Sequence, residues 1–219
     1  MAAIITEKFR IHNAEQFSES FSESSATTYY LTIGKPIAFT SDTSGGTDLS
    51  PPTPVDDVSS EYYAWDSMIA AKKITSSDVL NVIPRRNWAN STTYDMYEDN
   101  ISSSNTTTSG ATNLYDSTFY FMTSDFKVYK VLDNNGGTAF SGSEPTSTSN
   151  SPFESGGYIL KYMYTLTTSQ VQNFLTTDFM PVATDSTVST AAVDGKIESL
   201  IVTAGSGYTN GTYYAPIHG

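Results

Sequence analysis

The clearest pattern in the chain lies at residues 157–166. Tyr158, Leu160, Tyr162 and Tyr164 fall on one face there, and Ile159, Lys161 and Met163 on the other, the period-two alternation of a strand. Residues 114–122 and 126–132 are two further aromatic-rich strand candidates. The short polar link Thr123-Ser-Asp125 between them predicts a hairpin. Residues 133–137 form a turn cluster, and 140–152 a flexible Ser/Thr/Gly/Pro loop. Near the N-terminus, residues 29–33 predict a strand that turns at Gly34-Lys-Pro36.

Helical signals are shorter. Asn13-Ala-Glu-Gln16 fits a capping box opening a helix through Phe17 and Phe21. Trp65, Met68, Ile69 and Lys72 recur at helical spacing across 61–73. A helical turn is expected at Ser76-Ser-Asp78, running into Val79, Leu80, Val82 and Ile83 until Pro84 stops it. Residues 168–175 predict a short capped helix through Val171, Phe174 and Leu175. Residues 42–57, rich in Gly and Pro, read as an extended loop, and 91–112 as a boundary or long loop poor in apolar residues. From Gly195 the pattern changes to strands at 196–202 and 212–216 joined by a glycine-rich link, like the first hairpin of a repeated β module.

These elements predict a mainly β fold, β-sandwich-like sheets with a few short helices and an α+β N-terminal part. The expected divisions are an α+β domain over 1–90, a β-rich domain with long polar loops over 91–190, and the start of a truncated C-terminal β module over 191–219.

Composition sharpens this picture. Fifteen Tyr and eleven Phe supply enough apolar surface for a core. Only 16% of residues are charged, so Ser, Thr and Asn carry the polarity. Those residues suit strands, turns and caps better than helix interiors. The net charge of −12 argues against nucleic acid and anionic membranes as partners. No stretch approaches the ~20 apolar residues of a membrane span, and Met-Ala-Ala-Ile-Ile-Thr-Glu-Lys is not a signal-peptide pattern. With no cysteine, disulfides, thiolate metal sites and cysteine nucleophiles are excluded.

Candidate chemistry is sparse. The two histidines, His12 and His218, have no partner pattern for a triad or a zinc site. Asp56-Asp57 and Glu98-Asp99 are the paired carboxylates that a glycosidase would need, but both read better as turns or caps. Asp42-Thr-Ser-Gly-Gly-Thr-Asp48 lacks the ligand spacing of a calcium loop, and Gly205-Ser-Gly-Tyr-Thr-Asn-Gly211 has no lysine or helix behind it for a phosphate. No catalytic, cofactor or metal residue is therefore assigned. Arg85, Arg86 and Trp88 stand out in an acidic chain as candidate partner-interface residues. The arginines could instead form an internal salt bridge that fixes a turn. As interface anchors, they should affect assembly more than folding when replaced.

Several segments, in order, resemble one family. Thr6-Glu-Lys-Phe-Arg10, Tyr30-Leu-Thr-Ile-Gly34, Pro51-Pro-Thr-Pro-Val-Asp-Asp-Val58, Trp65 with Met68, and Val82-Ile-Pro-Arg-Arg-Asn-Trp88 are similar to the baseplate wedge subunit of T-even-like contractile phages, the gene-eight product. Phe126-Lys-Val-Tyr-Lys-Val-Leu-Asp133, Gly157-Tyr-Ile-Leu-Lys-Tyr-Met-Tyr-Thr-Leu166 and Met180-Pro-Val182 continue the series. The resemblance spans roughly residues 4–183. It weakens at 91–112 and 141–152, and the ending from Gly195 is closer to the longer forms of cyanobacterial phages. The resemblance implies a mainly β structural protein of the virion, assembled in the host cytoplasm. It further implies a homodimer within each wedge that contacts other wedge proteins, with no catalysis, cofactor or small-molecule substrate. The rival readings are a carbohydrate-binding β module or adhesin, whose aromatics would lie exposed in a groove, and a carboxylate-based glycoside hydrolase.

Overall fold

A computed structural model describes residues 7–35, 37–41, 45–53 and 57–193, with isolated positions 195, 197, 206, 207, 209, 211, 212 and 214. The first six residues, the first half of the Asp42 motif, Asp56 and His218 lie outside the described residues. So, almost wholly, do the strands expected at 196–202 and 212–216. The chain divides into two compact units, residues 1–81 and 82–219. It is mainly β, built from antiparallel sheets with a few short helices.

In the first unit, α1 (Glu7–Glu19) opens well before the expected capping box, so Asn13 sits mid-helix rather than at a cap. The position is exposed, and an Asn in a helix interior costs only a fraction of a kcal/mol, up to roughly 0.7, which neighbouring helix formers offset. Phe17 then meets Phe21 and Tyr29 edge-on, and Phe21 lies tilted against Tyr29, with ring centroids about 5 Å apart. β1 (Tyr29–Ile33) pairs antiparallel with β2 (Ala70–Ile74), Leu31 opposite Lys72. The helix expected across 61–73 is therefore corrected. α2 runs only from Val58 to Asp66. The Ile69 amide donates to the Ile33 carbonyl at 2.8 Å, which commits the backbone to the ladder. Pairing overrides the helical propensity of Ala70-Ala-Lys-Lys73. Trp65 is 68% exposed rather than part of a core. The turn at Ser76–Asp78 forms, capped by Thr75, but it ends there: Val79 is already extended and Val82–Pro84 are a strand, not the continuation of the helix that was expected up to Pro84. The hydrogen bond from Lys72 holds the Asp78 carboxyl down at about 2, on an exposed site where such a pair contributes little.

The second unit contains the expected hairpin. β4 (Tyr120–Met122) pairs with β5 (Lys127–Asp133), which pairs with β7 (Tyr158–Thr165), and β6 (Phe153–Ser155) closes the sheet on the far side of β7. The strand expected from 114 is shorter because Asn113 and Asp116 bond into a turn, Asp116 N–H donating to Asn113 Oδ1 at 3.0 Å. β3 (Val82–Pro84) pairs with β8 (Phe179–Pro181), and α3 (Thr168–Phe174) forms where a short capped helix was expected, its cap being Thr167. A last short helix, α4, spans Ser186–Ala191.

Both faces of the four-stranded sheet are covered. Phe121, Tyr129, Val131, Tyr158, Leu160 and Tyr162 pack with Tyr94 and Phe140 from the long loops on one face. Tyr120, Met122, Val128 and Tyr164 pack with Met180 of β8 on the other. Tyr164 departs from the expected single face. Tyr129 is opposite Tyr162 and Val128 opposite Tyr164, so Met163 is an extra residue on β7, and this bulge moves Tyr164 to the opposite face.

The buried tyrosines also explain the polar loops. Tyr120 OH donates to the Pro84 carbonyl, Tyr129 OH to those of Pro145 and Ser147, Tyr158 OH to Thr138 and Tyr164 OH to Pro181. Each ring fills the core while its hydroxyl fastens a crossing segment. Burial pushes the Tyr129 and Tyr164 hydroxyls well above the usual tyrosine range, so they remain protonated donors. The loop at 140–152 carries no regular element, yet it is tied at both ends, since Lys161 Nζ also donates to the Asn150 carbonyl.

Candidate partner interface

Residues 82–88 are stitched between two strands. Pro84 lies in β3 opposite Phe179, and the Arg85 amide donates to the Asp178 carbonyl at 2.8 Å. One residue on, the Met122 amide donates to Arg86, and the Trp88 amide donates back to Met122, both at 2.8 Å. The three residues singled out from the sequence are thus held on a rigid frame, but they do different things.

Arg86 turns inward. Its Nη2 donates to the carbonyls of Tyr115 and Asp116 at 2.9 and 2.8 Å, and its guanidinium lies 5.6 Å from the Tyr120 ring centre. Trp88 also packs inward, edge-on to Phe140 at 5.9 Å, with a buried Nε1 that has no hydrogen-bond partner. Among the described residues neither arginine forms an ion pair; the pairs there are Lys72–Asp78 and Lys127–Asp125. The turn is held by carbonyls in place of the carboxylate that an internal salt bridge would need. Replacing Arg86 with alanine removes two charge-assisted bonds and a ring contact. It should lower unfolding stability by about 2 kcal/mol in urea titration. An unchanged midpoint would show that Arg86 is not a strut.

Arg85 is turned differently. Its Nε donates to Asn87 Oδ1 at 3.0 Å and its Nη1 to the Thr176 carbonyl at 2.9 Å. Beside it opens a concavity of about 400 Å³ lined by Arg85, Asn87, Trp88, Met122, Phe126 and Glu144, with Thr123 and Ser124 at the hairpin tip. Glu144 is occupied, accepting from the Ser124 amide at 2.9 Å and its hydroxyl at 2.5 Å. Phe126 holds φ = +62°, a left-handed conformation that a hairpin of this kind normally gives to Gly or Asn.

The other candidates do not assemble. Asp57 and Asp99 are exposed. Glu98 accepts weakly from Asn105 Nδ2, at 3.4 Å. His12 lies exposed on α1. Among the described residues no three His, Asp or Glu side chains gather as metal ligands, and no helix is long and apolar enough to cross a membrane. Tyr158, Tyr162 and Tyr164 are core, so they form no sugar-stacking platform.

Sequence reading missed Asp95, which is 1% exposed. Its carboxylate accepts from the Ser109 amide and hydroxyl, both at 2.7 Å, from Ser117 Oγ at 3.0 Å and from the Thr118 amide at 2.8 Å. Burial pushes the carboxyl up, but the donors of Ser109, Thr118 and Thr107 outweigh it, so it titrates below the usual carboxylate range. With every oxygen engaged by N–H and O–H donors, Asp95 is a knot for the loops and not a base or a ligand. No spacing signal marks it, because its partners are ordinary Ser and Thr in a tract full of them.

Compared with protein families, residues 3–143, more than half of the chain, match the model described as Bacteriophage T4, Gp8. The match takes in the arginine pair, Trp88 and Asp95. No curated protein matches the chain.

Proposed function

The chain belongs to the Bacteriophage T4, Gp8 family of structural baseplate proteins, and from that premise we propose that it is a wedge subunit that pairs with a second copy of itself and links neighbouring wedge proteins. As a baseplate component it resides in the virion tail and associates with other baseplate proteins. On this reading it carries no catalysis and needs no cofactor.

The state of the first unit supports the pairing. Among its described residues one apolar side chain, Phe21, is buried, while Leu31 is 58% exposed, Tyr62 75% and Trp65 68%, and Tyr30, Ile33 and Ile69 are exposed as well. A two-stranded sheet is marginal in water on its own. An apolar surface on this scale marks an interaction site, and two such units can supply the ~800 Å² per partner of a standard interface. A second copy presents the same apolar surface, so a self-complementary contact satisfies both at once.

Sedimentation equilibrium of the full chain should therefore give a dimer at micromolar concentration. Replacing Leu31 and Ile33 together with glutamate should weaken it at least tenfold, since burying two unpaired charges costs well over ~1.4 kcal/mol. A monomer in the unmodified chain would remove the pairing from the account.

A further inference from the structure

We infer that the concavity beside Arg85 is a socket for a carboxylate-bearing side chain of another baseplate protein, set next to an apolar one. This rests on the wedge reading and adds to it which chemistry a neighbour must present.

The geometry of two side chains carries the inference. Arg85 Nε donates to Asn87 Oδ1, which leaves the Asn87 amide nitrogen outside that bond with both of its N–H donors to give. Asn87 is exposed and lines the socket, and among the described residues its Nδ2 has no partner. Arg85 has five N–H donors, and its described acceptors are Asn87 Oδ1 and the Thr176 carbonyl. The socket thus offers a fixed positive charge and a neutral donor side by side, the pattern a planar carboxylate accepts. The chain has more than twice as many acidic as basic residues, yet among the described residues no carboxylate of its own pairs with this guanidinium. Glu144, the one acidic group lining the socket, is held by Ser124 and faces a guest as a repulsive edge, which fixes the guest carboxylate against Arg85.

The apolar part comes from Trp88, Met122 and Phe126. Phe126 keeps its ring in place at the cost of a left-handed backbone. Strain of this kind persists where the surroundings over-determine it, and it concentrates at binding sites.

The test is Asn87→Asp in the full chain. The new carboxylate still accepts from Arg85 Nε, so the melting temperature stays at that of the unmodified chain, but it repels the guest carboxylate. Incorporation into tails, measured in competition with the unmodified chain, should fall about tenfold. A benzophenone amino acid at position 124, irradiated in assembled tails, should join a different tail protein within a few residues of an Asp or Glu. Equal incorporation of the Asp variant, or a crosslink to a second copy of this chain, overturns the socket. Absence of the unmodified chain from tails would instead sink the wedge reading itself.

Discussion

Replacing Asp95 with alanine is expected to lower the stability of the second unit by about 3–5 kcal/mol, among the largest effects a single surface-distant polar residue can have. Four donors converge on this carboxylate from Ser109, Ser117 and Thr118. Alanine removes their acceptor and leaves the buried Ser117 hydroxyl and the half-buried Thr118 amide without a partner. The Asp95 amide donates in turn to Thr118 Oγ1 at 3.1 Å, so the residue ties residues 107–118 to the segment that carries Tyr94 into the core. Urea unfolding followed by the fluorescence of Trp88, in a Trp65→Phe background, reads this unit.

Asparagine at position 95 should recover part of the loss, since one of its two side-chain ends still accepts. The pH dependence has a definite sign. The folded carboxyl titrates below the ordinary value, so its contribution is complete above about pH 4, the unfolded pKa. That contribution is lost as pH falls through the folded value. The asparagine variant should lack this acid-side loss, and an identical acid slope in both proteins would place the titration elsewhere.

The second large effect is Gly156→Ala. Gly156 has φ = +61°, and a Cβ there would sit 2.3 Å from Cε1 of Phe140. Phe140 cannot swing away cheaply, because it is 1% exposed and lies between the rings of Trp88, Phe121 and Tyr158. Backbone strain and overpacking together predict a loss of about 3 kcal/mol. Phe140→Leu in the same chain should give back part of it, a coupling that a double-mutant cycle measures. Gly110 is the control. It has φ = +85° with nothing within 4 Å of a Cβ, so alanine there pays only the backbone cost, about 1 kcal/mol. Equal losses at the two sites would remove Phe140 from the explanation.

The parts legible in the sequence were those with local causes. The 120–133 hairpin, the buried face of 158–162 and the Thr167 cap follow from alternation, a short turn and a hydroxyl at a helix start. The illegible parts depend on partners far along the chain. Residues 70–73 read as helix until β1 claims their backbone, and Tyr164 changes face because of a bulge that no local residue announces. Trp65 and Trp88 differ little as sequence, yet one is exposed and the other sits against the core. Arg85 and Arg86 are neighbours that reach different carbonyls, Thr176 for one and Tyr115 with Asp116 for the other, and no local residue tells them apart. Asp95 was hidden by the ordinariness of its donors.

The most direct test of a structural role is to count this chain in purified tails by quantitative mass spectrometry against an invariant tail protein. The expected result is a copy number at an even multiple of the baseplate's rotational symmetry, as a paired wedge subunit must have. An odd multiple would contradict the pairing, and absence from the particle would contradict the baseplate role altogether.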